Sequence, residues 1–326
     1  MGQAMLIAVA LFASVAAAAE PAAFAVVEKP GGQVSFYTSE GKRVGGVQVG
    51  QYPHEIVRSP DGRYAYVSDN GILWMTNPGQ GGNTISIIDL EKRTKVGTIS
   101  LGEYRRPHGM DLDPKTNRMV VTIENPHGLL LVDLTGRKVL RKYDTGGSAP
   151  HMVLLSPDRQ YAYVSNTGSN TIGIVHLESG KVKTIPTGGR PQGGVLSGDG
   201  TLAYITNSDG NTISILDTRS QQIVGTIATG KGPGRIAMTP DGKTLVYNLQ
   251  AGQAVGFADV AARKQTAVVP IGGDPLSLTM SRDGAFAYAG IQDQDKVVIV
   301  SVQDRKVKHT FQTPKGAGPD PVLPLN

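Results

Sequence analysis

The chain has 326 residues, no cysteine and a formal charge of +5. Disulfide staples, c-type haem attachment, thiolate-held copper and iron–sulfur clusters are therefore excluded. The pI near 9.2 favours anionic partners, but only 18% of residues are charged and no long basic run occurs, so nucleic-acid binding is not expected.

The first element is Leu6 to Ala19, LIAVALFASVAAAA, closed by Glu20. An apolar run ending in small residues reads as a signal-peptide core, with cleavage expected after Ala19. It is too short for a stable transmembrane anchor. The expected product is a soluble, monomeric, exported protein, periplasmic or secreted, with residues 20–326 forming one domain.

From there the chain repeats. A Gly followed closely by Pro opens each unit, at Pro53, Pro107, Pro150, Pro191, Pro233, Pro275 and Pro319, in steps of 54, 43, 41, 42, 42 and 44 residues. Each full unit continues with a short apolar run and a turn, such as Pro60-Asp61-Gly62 or Pro240-Asp241-Gly242. A Tyr-rich strand follows (YAYVSD, YAYVSN, LAYITN), then NTISIIDL or NTISILDT, then a strand such as KVGTISLG. Four strands in about forty residues is the period of a propeller blade, and blades bury both sheet faces by packing round an axis. Phe24 to Gly50 supplies three strands and Gly316 to Leu325 the missing first one. The sequence therefore predicts an all-β, seven-bladed propeller of four-stranded antiparallel blades, with the last blade closed by both chain ends. Closure also removes the open sheet edge.

YAYVSN, LAYITN and YAYVSD, with their G-x-x-P openers and SIID or SILD strands, resemble the YVTN-repeat β-propellers over nearly the whole chain after Glu20. That resemblance implies that the first strand of each blade lines a central channel and that ligands bind where the opener loops converge, here called the top face. It does not imply one activity, because the family spans binding proteins, surface-layer proteins and enzymes.

The residue after each opener Pro is His54, His108, His151, Gln192, Gly234, Leu276 and Asp320 round the ring. Three imidazoles in register, with Asp320 before them and Gln192 after, mark one arc. Imidazole suits Zn, Cu, Ni and Fe, so His54, His108, His151 and Asp320 are the expected ligands of a divalent metal. Counting seven residues on from each first turn gives a second ring, Asp69, Glu124, Asn166, Asn207, Leu249 and Ile291, polar on the same arc. Glu124 or Asp69 is expected to orient an imidazole, or Glu124 to serve as general base.

The long first step places its excess at Asn70 to Gly82, with the chain's only Trp, Trp74, expected to act as lid or stacking platform over His54. Arg105, Arg106, Arg190, Lys231, Arg235 and Lys315 gather at the openers and suggest an anionic ligand such as a carboxylate or phosphate. His127, His176 and His309 are expected to be solvated or structural. Asp89, Asp133, Asp217 and Asp259, at third-strand ends, are expected to cap the following turns. No Walker loop, Rossmann fingerprint, G-x-S-x-G or H-E-x-x-H is present, so no nucleotide cofactor is expected. The functions that fit are binding of a small anion, with or without a metal; a metal-dependent lyase or hydrolase on the same site; or a cell-envelope interaction scaffold.

Overall fold

A computed structural model describes residues 20–325; the signal-like run lies outside them. Seven four-stranded antiparallel sheets are formed, as the repeat predicts. Blade 1, for example, comprises Pro53–Arg58, Tyr64–Asp69, Thr84–Asp89 and Thr94–Ser100. Blade 7 is composite: Pro319–Pro324 pairs with Phe24–Glu28, bringing Val322 opposite Val26. Among the described residues no helix is long and apolar enough to cross a membrane.

The middle strands, YAYVSD and TISIID, are buried on both faces because a neighbouring blade covers each side. The outer strands alternate toward exposure. The core consequently lies between blades. Tyr66, Ile85 and Ile87 of blade 1 meet Met110, Val121 and Leu130 of blade 2. At the closing seam Phe24, Tyr37 and Phe311 form an aromatic cluster, with ring centroids 6.0 Å apart for Phe24–Phe311 and 5.1 Å for Tyr37–Phe311. The recurrent aspartates cap turns as their positions imply: Asp89, Asp133, Asp217 and Asp259 each accept a backbone N–H two or three residues on.

One local device positions the site. In blades 1 to 5 the pairing of first and second strands slips just after the opener Pro, between Pro53 and Ile56 and at the four equivalent places. A bulge re-aims the side chain it contains. The residue before the Pro is left-handed at Tyr52, Arg106, Ala149 and Arg190, with φ between 43° and 56°, a region non-glycine residues seldom adopt. Together these kinks turn the residue after the Pro toward the channel. A second-strand hydroxyl holds the bulge: Thr122 accepts from Gly109 N–H and donates to the carbonyl of His151 in the next blade (2.6 Å).

The register corrects the second ring. Pro53, Pro150, Pro191 and Pro233 pair with Asp69, Asn166, Asn207 and Leu249, but Pro107 pairs with Ile123, not Glu124. The first turn has four residues in both blades, between Ser59 and Tyr64 and between Asp113 and Arg118, but the left-handed residue is Gly62, three after Ser59, in blade 1 and Asn117, four after Asp113, in blade 2, so a count from it overshoots by one. Ile123 is therefore Asp69's equivalent, and Glu124 corresponds to Asn70 and Thr167.

Candidate functional site

The bulged residues of blades 1 to 3 bring three imidazoles together. Ring centroids lie 4.6 Å apart for His54–His108 and 4.2 Å for His108–His151. All three rings are buried, and each spends one nitrogen on an acceptor. His54 Nε2 donates to Ile72 O (2.7 Å), His108 Nδ1 faces Glu124 Oε1 (2.9 Å), and His151 Nδ1 donates to Gln192 O (2.8 Å). A carbonyl or carboxylate accepts only, so these bonds fix the tautomers. Burial, before any neighbouring cation, holds all three imidazoles well below the usual histidine range, so they are neutral near pH 7.

The imidazoles open onto a top-face cavity of about 250 Å³, lined also by Lys29, Trp74, Arg190, Gln192, Arg235 and Asp320. Lys29 Nζ pairs with Asp320 (3.1 Å) and stands 5.3 Å over the Trp74 ring. Arg235 forms a buried ion pair with Glu55 and stands 3.4 Å from His151 Nδ1, a contact of two donors. The Arg190 side chain makes no ion pair or hydrogen bond among the described residues; it lines the cavity from an exposed position. A larger groove of about 680 Å³, past Phe24, Phe286 and Tyr288, lies at the opposite ends of the strands and includes none of the bulged residues.

The other expected site residues separate by role. Glu124 sits behind His108 rather than in the cavity; it accepts from Asn70 (3.3 Å) and has Arg106 at 3.7 Å. Burial lifts its carboxyl above the ordinary range, with Arg106 opposing. Asp69 does not face the cavity. Its carboxylate takes Gly50 N–H (2.8 Å), Thr84 Oγ1 (2.7 Å) and Ser86 Oγ (2.8 Å), tying the strands of its own blade. Arg105 donates to Gly81 O at the base of the Trp74 loop. Arg106 donates to the carbonyls of Met75, Asn77 and Gly79 and so latches that loop to blade 2. Trp74 remains 43% exposed at the mouth. Arg106→Ala is expected to release the loop, seen as faster chymotryptic cleavage after Trp74, and to lower the melting temperature of the ring as well, because buried Glu124 loses its cation.

Among the described residues no group of three or more His, Asp or Glu is arranged to surround an ion. Asp320 is committed to Lys29, so the four-ligand set expected from the sequence is not assembled.

Lys29, Glu55 and Asn70 were missed in the sequence. Glu28 pairs with Pro319 as Asp69 does with Pro53, so carrying the second ring into blade 7 leads directly to Lys29. Glu55 carries no positional signal beyond following His54.

The chain belongs to the YNCE-like beta-propeller family, whose profile matches residues 53–283; that, not the YVTN repeat itself, is the family matched. No curated protein matches the chain. Among solved structures it is similar to the periplasmic gluconolactonase PpgL of Pseudomonas aeruginosa (17% identity, TM-score 0.73, covering 92% of this chain and 98% of that one). It is also similar to a functionally unknown protein from Desulfotomaculum acetoxidans (14%, TM-score 0.77, 92% and 98%), and to the dihydro-heme d1 dehydrogenase NirN in complex with DHE (16%, TM-score 0.65, 94% and 67%). At such identities the likeness is one of fold.

Proposed function

We propose that this propeller is an exported, monomeric binding protein that takes a small carboxylate or phosphate in its top-face cavity. The observation that carries this reading is Arg190, an exposed residue on the cavity wall whose side chain has no ion pair or hydrogen bond among the described residues, whereas the other two cations there, Lys29 and Arg235, already have carboxylate partners. An anion seated there gains a charge-assisted contact without breaking an ion pair. The neutral imidazoles leave lone pairs and ring faces on the cavity floor, and Trp74 supplies a stacking surface at the mouth. Export rests on the signal-like run Leu6 to Ala19, and a periplasmic fold relative is in keeping with it.

Trp74, as the only Trp, is a built-in reporter. Titration with succinate, citrate and inorganic phosphate should change its emission saturably for at least one of them, with a matching calorimetric isotherm. Arg190→Ala should weaken that binding about tenfold or more, the size of a lost charge-assisted hydrogen bond. Trp74→Phe should abolish the optical signal and leave the heat. Absence of heat with all three anions, or equal affinity in Arg190→Ala, rejects the reading.

A further inference from the structure

The imidazoles of blades 1 and 2 meet in a way the protein alone does not satisfy. His54 Nδ1 lies 3.4 Å from His108 Nε2. The bonds to Ile72 O and Glu124 place the one proton of each neutral ring on its other nitrogen, so two lone pairs face each other with no hydrogen between them. Both residues are more than nine-tenths buried. Two buried acceptors in opposition cost free energy unless something electron-poor lies between them. Two imidazole nitrogens each about 2.0–2.1 Å from a tetrahedral ion stand about 3.3–3.4 Å apart. The outer bonds are also those that orient metal-bound imidazoles, a carboxylate on one ring and a backbone carbonyl on the other.

We infer that His54 Nδ1 and His108 Nε2 hold a divalent metal ion, Zn(II) or a similar borderline cation, whose remaining positions open into the cavity and take the bound anion as a ligand. This deepens the proposed function and rests on it for the anion. The nearby charges are already balanced in pairs, Lys29 with Asp320, Arg235 with Glu55 and Arg106 with Glu124. A dication therefore arrives with its charge uncompensated, and an anion reached also by Arg190 supplies the balance. Metal and anion should consequently strengthen each other's binding.

The test is calorimetric titration of chelator-stripped protein with ZnCl₂ near neutral pH, repeated with Co(II) for its visible absorption. One ion per chain is expected. His54→Gln and His108→Gln should each reduce uptake at least tenfold while the melting temperature of the metal-free protein holds within a few degrees. Glu124→Gln should weaken uptake about 10- to 100-fold through the orientation of His108. His309→Ala, an exposed imidazole on an outer strand, should have no effect. Succinate at saturation should tighten Zn(II) binding, and Zn(II) succinate binding, by the same factor. No stoichiometric uptake by the wild type, or uptake indifferent to both glutamine variants, overturns the metal site. If Trp74 still responds to succinate in that case, the anion site stands alone. Zn(II) uptake without any anion response rejects the anion reading and the coupling, and leaves the metal.

Discussion

A chain ending at Gly318 is expected to lose its cooperative melting transition. The missing strand, Pro319–Pro324, is the innermost of blade 7 and has no substitute, because its partner Phe24–Glu28 is paired to it on one side and to Gln33–Tyr37 on the other. Deletion strips Val322, itself fully buried, from the seam cluster with Phe24 and Phe311. It removes the carbonyls of Asp320 and Val322 that accept from Ser277 and Thr279 of blade 6, and it leaves Lys29 without Asp320. Full burial of one Val side chain is worth about 1.5–3 kcal/mol, and each orphaned buried polar group costs about 1–3 kcal/mol. The sum is comparable with the roughly 5–15 kcal/mol that holds a whole domain. Circular dichroism melting checks this. A truncated chain that unfolds cooperatively within a few degrees of wild type would show that the ring does not depend on its closing strand.

Arg235→Met is expected to be the most damaging single substitution near the cavity, at about 3–5 kcal/mol, the cost of removing one partner of a buried ion pair. Arg235 and Glu55 are both largely buried, with 13% and 11% of their side chains exposed, and each is the other's partner. Burial already raises the Glu55 carboxyl above its ordinary range, and Arg235 is the principal influence lowering it. Without the guanidinium the carboxyl rises further. Because its folded value then lies well above its unfolded one, the folded form keeps a proton that the unfolded form releases. Stability held at low pH is lost as pH rises through the folded value. The deficit against wild type should therefore be small near pH 5, where the unfolded carboxyl also begins to take up its proton, and full at neutral pH and above. The double variant Glu55→Gln, Arg235→Met should recover most of it. Denaturant unfolding at a series of pH values is the measurement. A deficit that does not change with pH would show that Arg235 matters through its packing rather than through its charge.

The ring was legible because its signal is redundant. Seven openers, the Tyr-rich second strands and the recurrent third-strand aspartates report the same period, and an irregular blade cannot hide it. The innermost strand of blade 6 shrinks to Thr279–Met280 with a lone bridge at Pro275, yet FAYAGI still falls in place. The His arc was legible for the same reason, since one position read round the ring needs only the period. Register within a hairpin is set by a single turn, and no repeat averages it. In blade 2 the left-handed residue falls one place later within that turn, which put Glu124 and Asp69 in one class when the fold sends Glu124 to His108 and Asp69 into its own blade. A pair joined across the ring, such as Glu55 of blade 1 with Arg235 of blade 5, is set by the diameter of the channel, which no local pattern encodes.

The backbone at Ala23 meets that at Leu325 through a direct hydrogen bond from Leu325 N–H to Ala23 O (2.9 Å). A short Gly-Ser bridge between them would join the two ends without disturbing the sheet, and the chain could then be reopened at any outer turn between blades. Such circular permutants would present the same imidazole arc from seven different starting points, a ready scaffold for fusing cargo on whichever side of the disc an application needs.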